Sequence, residues 1–290
     1  MAAALIITST ASAQNIFVAD WYYPGAIYEF TPGSSPSTYY SGDSSNLGEP
    51  EGIAFNNLGD LFVADSFNGQ IDEIMPNQTE ITYASIPDPH GVAFDKAGDL
   101  FISGNNDGDI YEIKVGTTTV TTFATGLSGP AGLAFNQAGD LFVASGGSGV
   151  IDEYLNSGGI LSPNATLFAQ GFTGLGDIAI DGAGNVYVGN GNANGQIAKI
   201  TPQGNSSVYA TGFSYQNGLA FNTAGDLFVC DNGTVYEVAP GGGTGTVVAS
   251  GLGNATGIAI EGIALPVPEP STWALGAVGG VAFLFRRKKA

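Results

Sequence analysis

Residues Gly52-Ile53-Ala54-Phe55-Asn56-Asn57-Leu58-Gly59-Asp60-Leu61-Phe62-Val63-Ala64-Asp65 form a pattern that returns along the chain. It recurs as Gly91-Val92-Ala93-Phe94 with Gly98-Asp99-Leu100-Phe101, and as Gly132-Leu133-Ala134-Phe135 with Gly139-Asp140-Leu141-Phe142. A looser copy is Asp177-Ile178-Ala179-Ile180 with Gly184-Asn185-Val186-Tyr187, and a close one is Gly218-Leu219-Ala220-Phe221 with Gly225-Asp226-Leu227-Phe228. A sixth start, Gly257-Ile258-Ala259-Ile260, has no second half after it. The starts at 52, 91, 132, 177, 218 and 257 lie 39 to 45 residues apart, a period that with several short strands per unit predicts a β-propeller.

Each unit reads as four strands. The short apolar run at its start is a buried strand, and Asn56 to Gly59 is a turn whose glycine takes positive φ without steric cost. Asp60 to Ala64 is a second strand, apolar on both faces, which asks for a neighbour on each side. Gln70-Ile71-Asp72-Glu73-Ile74 alternates apolar and polar residues and predicts a half-solvated third strand; Glu80 to Ala84 is the outer edge. One such sheet cannot bury itself, so the unit must stack on copies of itself.

The missing half of the sixth copy lies at the other end of the chain. Asn15-Ile16-Phe17-Val18-Ala19-Asp20 matches the second strand, Gly25 to Phe30 the third and Pro36 to Tyr40 the fourth. The expected fold is therefore all-β: six blades, the last closed by N-terminal strands pairing with the inner strand at 257–261. This pattern resembles the NHL-repeat and SMP-30/gluconolactonase-like six-bladed propellers over roughly residues 15–261, a resemblance that implies fold far more than function.

Three segments follow. Residues 1–13 read as a signal peptide, with an apolar run from Ala2 to Ile7 and a small-residue cleavage site at Ala11-Ser12-Ala13. Residues 14–265 are the propeller. Residues 266–290 begin Pro266-Val267-Pro268-Glu269-Pro270-Ser271-Thr272, continue as an apolar run from Trp273 to Phe285 and end in Arg286-Arg287-Lys288-Lys289. That run predicts a short transmembrane helix, with its basic end in the cytoplasm. Pro268-Glu269-Pro270, the apolar segment and Arg286-Arg287 together are similar to a PEP-CTERM sorting signal. The similarity implies a Gram-negative bacterium and an exosortase-type membrane protease as partner. It further implies transient inner-membrane anchoring, then release to the cell surface or exopolysaccharide matrix.

Charge excludes one class of partner. Of 26 acidic residues 25 precede the tail, against only three of the seven basic ones (Lys96, Lys114 and Lys199). Such a surface repels phosphate backbones, so nucleic acid is not a partner. The single cysteine, Cys230, forms no intramolecular disulfide; it fills the slot of Ala19, Ala64 and Ala144 and reads as a small core residue.

Candidate site residues come from the loops that precede each inner strand, which in a propeller ring the channel mouth. They are Glu51, His90, Ala131, Gly176 with Asp177, Asn217 and Thr256. The SMP-30-like resemblance implies a divalent cation such as Ca²⁺ held there by a Glu, Asn and Asp. Glu51 and Asn217 match that pattern, Thr256 stands where the Asp is expected, and His90 or Asp177 can substitute as ligands. The alternative is that these side chains cap strand ends and bind channel water. Trp21, Tyr22, Tyr23, Phe67 and Tyr215 fall in loops of the same face, placed either to stack on sugar rings or to pack loop on loop. Asp20, Asp65 and Asp231, closing second strands, are expected to accept backbone hydrogen bonds rather than to act chemically. Two functions compete: a non-enzymatic surface or matrix propeller binding polysaccharide or a surface protein, and a metal-dependent lactonase-like hydrolase or lyase.

Overall fold

The structure, a computed structural model, describes residues 14–42, 46–190 and 195–262. Among them are six antiparallel sheets, each built outward from an inner strand. The first blade runs Pro50–Phe55, Leu61–Asp65, Gln70–Ile74, Glu80–Ser85, and the second Pro89–Phe94, Leu100–Gly104, Asp109–Ile113, Val120–Ala124. The third runs Pro130–Phe135, Leu141–Ser145, Val150–Tyr154, Thr166–Gln170, with a small hairpin (Asn156–Ser157, Ile160–Leu161) inserted before its outer strand. The fourth is Ile178–Ile180, Val186–Asn190, Gln196–Ile200, Ser206–Thr211, and the fifth Gln216–Phe221, Leu227–Asp231, Thr234–Val238, Thr246–Ser250. Gly243–Thr244 pairs in parallel with the outer strand of the fourth blade, tying it to the fifth.

The sixth blade closes the ring as expected. Ala255–Ile260 pairs with Ile16–Asp20 in the register Ile16↔Ile260 and Val18↔Ile258, followed outward by Ala26–Phe30 and Ser37–Ser41. The Glu261 amide donates to the Asn15 carbonyl and the Asn15 side chain to the Glu261 carboxylate, so the two ends are held together on one face. The leader, the sorting motif and the expected transmembrane segment lie outside the described residues. No helix among the described residues is long and apolar enough to cross a membrane.

The packing explains the repeated residues. Second strands are buried along their whole length in most blades. Their aromatic ring meets the inner-strand aromatic of the next blade edge to face: Phe17 on Phe55, Phe62 on Phe94, Phe101 on Phe135 and Tyr187 on Phe221, at 4.9 to 5.2 Å. The inner strands of the first five blades are each followed by one turn chemistry. The Oδ1 of Asn56, Asp95, Asn136, Asp181 or Asn222 accepts the backbone amides two and four residues on, and a positive-φ glycine completes the turn.

One expectation needs correction. The third strand of the first blade is not half-solvated: Asp72, which alternation marks as wet, is fully buried and takes the side-chain amide of Gln70.

Candidate functional site

Inner strands begin at the channel, and there the inner strand of every blade but the fourth carries a bulge. Between Pro50↔Asp65 and Ile53↔Val63, two residues, Glu51 and Gly52, oppose one. The same shift falls at His90-Gly91, Ala131-Gly132 and Asn217-Gly218. A bulge turns the strand locally and re-aims a side chain, here the one before each glycine. The glycines themselves are imposed by crowding. A Cβ on Gly52, Gly91, Gly132, Gly218 or Gly257 would lie under 3.0 Å from the backbone of the next inner strand. For Gly52 the obstacle is the His90 carbonyl, and for Gly257 that of Glu51.

The mouth is a cavity of about 570 Å³. Every ring position named from the sequence borders it: Glu51, His90, Ala131, Gly176 with Asp177, Asn217 and Thr256. Trp21 and Tyr215 join them from the loops of the sixth and fifth blades. Tyr22, Tyr23 and Phe67 do not; they are exposed on the same face, and Tyr23 packs on Phe67 with ring centroids 5.3 Å apart. Sequence reasoning missed Asn105 and Asn254, which also border the cavity, and the run of glycines (Gly129, Gly146, Gly147, Gly174) that lines its third- and fourth-blade side. Asn254 has no repeat signature, and it arrives through the Trp21 amide, which donates to its carbonyl at 3.0 Å.

The ring side chains are not equivalent. The Asp177 carboxylate accepts the Ile178 amide (2.8 Å) and, across the blade boundary, the Leu219 amide (3.0 Å). Burial raises its pKa to about 6 against those two bonds. The Thr256 hydroxyl is buried and donates to the Pro50 carbonyl at 2.7 Å. Asn217 reaches the Ala255 carbonyl at 3.4 Å through its Nδ2, which leaves its Oδ1 for other partners. Glu51 is pushed up to about 8, by burial first and then by the charges of Asp88 and Glu49. Burial lowers the His90 pKa, with Asp88 opposing, so near neutral pH the imidazole is uncharged.

These contacts bear on the cation that the family resemblance implies. Glu51, Asn217 and His90 present donor atoms to the cavity, whereas Asp177 and Thr256 spend theirs on backbone partners. Among the described residues no group of three or more His, Cys, Asp and Glu is arranged to hold a metal ion. The residues therefore do not assemble the full ligand set. Cys230 is buried in the core, and burial raises its thiol pKa.

Asp20, Asp65 and Asp231 behave as expected. Each takes two amides of the loop entering the inner strand of its own blade: Gly48 and Glu49 onto Asp65, Ser214 and Tyr215 onto Asp231, Gly253 and Asn254 onto Asp20. They hold the loops that carry the mouth residues of the first, fifth and sixth blades.

With this geometry established, comparison with known proteins places the chain. Residues 266–288 match the PEP-CTERM protein-sorting motif. No curated protein matches the sequence. Solved structures match the fold. A chain of a nidogen/laminin complex is 15% identical with a TM-score of 0.71, over 86% of this chain and 98% of that one. A streptogramin B lyase is 12% identical with a TM-score of 0.61, over 80% and 79%. A putative gluconolactonase is 16% identical with a TM-score of 0.59, over 70% and 77%.

The fold class is thus a six-bladed β-propeller, with neighbours among the gluconolactonase and streptogramin B lyase propellers. Its sorting motif makes it an exported protein processed by an exosortase, a membrane protease.

Proposed function

We propose that the protein is a non-enzymatic binding propeller of the bacterial cell surface or exopolysaccharide matrix, which holds polysaccharide at the mouth of its central channel. In this reading residues 1–13 are removed on export and 266–290 on sorting, so that 14–265 reaches the matrix. The observation that carries it is the pairing of Trp21 and Tyr215 with Glu51, His90 and Asn217 around one open cavity. Aromatic faces with hydrogen-bonding side chains beside them suit sugar rings, which offer an apolar face and a rim of hydroxyls. Commitment of Asp177 and Thr256 to backbone partners supports binding over metal chemistry.

The second reading, a divalent-metal lactonase-like hydrolase or lyase, is favoured by Glu51 and Asn217 sharing the ring and by the likeness in fold to the putative gluconolactonase. One pair of measurements separates the two. Titrating the processed protein with neutral and charged oligosaccharides should give binding that Trp21→Ala and Tyr215→Ala each weaken about tenfold, the weight of one stacking ring. Adding Ca²⁺ or Zn²⁺ should leave the melting temperature unchanged. A metal-induced rise that Glu51→Ala and Asn217→Ala both abolish would instead establish the metal reading.

A further inference from the structure

Exposed aromatic rings are confined to one part of this propeller, and their placement deepens the proposal above, on which this inference rests. Inner strands run from the mouth to the base and second strands run back, so the turns at 56–60, 95–99 and 222–226 are basal. The loops before each inner strand and after each second strand are at the mouth. Five aromatic residues are exposed among those described: Trp21, Tyr22, Tyr23, Phe67 and Tyr215. All five lie in mouth loops, and the loops belong to three consecutive blades, the fifth, sixth and first. Large side chains exposed elsewhere, such as Leu58, Val115 and Ile160, are aliphatic and lie at the base or on outer strands.

Packing does not ask for these rings. The loop after the second strand carries Asn105-Asn106-Asp107 in the second blade and Gly146-Gly147-Ser148 in the third, and those blades form the same four-stranded sheets. A ring left in water where the repeat accepts a small polar residue forgoes hydrophobic free energy unless a ligand covers it. The backbone that carries the rings is also fixed. The Trp21 amide donates to the Asn254 carbonyl at 3.0 Å, the Tyr22 amide to the Asp20 carboxylate at 3.1 Å, and the Tyr215 amide to Asp231. Phe67 rests on bare backbone: a Cβ on Gly48 would lie 2.8 Å from its ring, and the Gly48 amide is held by Asp65. Tyr23 packs on Phe67 from the neighbouring blade. Rings placed in this way lose little freedom when a ligand covers them.

Trp21 and Tyr215 border the cavity, whereas Tyr23 and Phe67 lie outside it. The rings thus form a track that starts in the channel mouth and leaves over the boundary between the sixth and first blades. Trp21 and Tyr23 are two residues apart, at most about 7 Å between Cα atoms, a step that neighbouring units of one sugar chain can span. None of the five side chains is charged, and what they offer is flat apolar faces. The polymer that matches them is neutral, with hydroxyls at the rim of each sugar ring and a C–H face on either side, as in a β-1,4-linked glucan. Units joined by α-links turn their successive faces out of one plane.

We infer that the mouth binds a neutral, β-linked pyranose polymer along its length, with one stretch of the chain stacked on Trp21 and Tyr215 and the next on a second subsite made by Tyr23 and Phe67.

The test is calorimetric titration of the processed protein with cellotriose, cellohexaose and maltohexaose. Cellohexaose should bind about tenfold more tightly than cellotriose, and maltohexaose no more tightly than cellotriose. Phe67→Ala should weaken cellohexaose binding about tenfold, with melting temperature and cellotriose affinity as in the parent. Phe67→Trp, which restores a ring, should keep the parent's affinity for both. Equal affinity for the short and long probes would overturn the inference and leave polysaccharide binding at the cavity standing. So would a Phe67→Ala variant that binds cellohexaose like the parent, or one that loses cellotriose to the same extent. A length gain for maltohexaose equal to that for cellohexaose would overturn the β-linked class. If none of the three binds, the inference falls, and the binding proposal falls with it when the neutral and charged oligosaccharides of its own test also fail to bind.

Discussion

Gly257 and Glu51 meet where the last inner strand packs on the first, and a single methyl group is enough to force them apart. Gly257→Ala places its Cβ under 3.0 Å from the Glu51 carbonyl, a fixed backbone atom with no side chain to give way. It should cost about 2 to 4 kcal/mol in chemical denaturation, in the range of overpacked cores. Gly116→Ala, whose Cβ meets nothing within 4 Å, should cost only the strain of its positive φ. Asp72 sets a second residue-scale effect. It is buried, its Oδ1 takes the Gln70 amide group at 2.8 Å, its Oδ2 has no partner, and burial pushes its pKa from 3.8 to about 8. The unfolded chain gives up that proton near pH 4 and the native one near 8. Stability from this group is therefore full below about pH 4 and declines as pH rises through 8; Glu51, raised from 4.5 to about 8, adds to the slope. Urea denaturation at pH 5 and pH 8 should show the decline, on the order of a few kcal/mol for the two groups together. Asp72→Asn should reduce it and leave the part due to Glu51; an unchanged slope in that variant would mean that Asp72 is ionised in the native protein.

At the scale of elements, the loops entering the inner strands matter most, because they carry the mouth. The loop from Asn46 to Glu49 hangs on Asp65, through the Gly48 and Glu49 amides at 2.8 and 3.1 Å, and Asn68 adds bonds to Asp65 and to the Asn46 carbonyl. Charge-assisted bonds of this kind are among the stronger ones, and their loss leaves buried amides without partners. Asp65→Ala should lower stability by about 2 to 3 kcal/mol and speed hydrogen exchange at Gly48 and Glu49. Asp65→Asn, which keeps one acceptor oxygen, should recover part of each. The second and third blades lack the aspartate, having Gly104 and Ser145 at that position, and hold their loops by other means. The Ser103 hydroxyl accepts the Gly91 amide and donates to the Ala131 carbonyl.

The whole ring depends on the pairing of Ile16–Asp20 with Ala255–Ile260. This arrangement also decides which way the protein faces. Gln14 bonds Thr223 in a basal turn and Asn15 bonds Glu261, so the chain enters and leaves at the base, opposite Glu51, His90 and Asn217. On the proposal that the tail is held in the inner membrane before processing, the mouth is expected to face outward. In cells lacking the processing protease, on a Cys230→Ala background, Tyr22→Cys at the mouth should label readily with an impermeant maleimide. Leu58→Cys in a basal turn should label more slowly, although it is the more exposed of the two, at 83% against 71%. Faster labelling at position 58 would show that the base faces outward.

The repeat itself determined the number of blades, their strand order and the closing pair, because each copy has an apolar strand that only a neighbouring copy can cover. Position before a repeated glycine likewise sufficed to list Glu51, His90, Asn217 and Thr256 as ring residues. What those residues do was not legible, since it depends on partners far away in the chain: Asp177 is engaged by Leu219 and Thr256 by Pro50, just as Asp72 is buried although its own strand alternates. The bulges that aim the ring side chains, Asn254 and the glycine side of the cavity came from the same source. A repeat records what every blade needs in order to pack. Tertiary structure alone decides which of the positions so exposed keep a free donor or acceptor for a ligand.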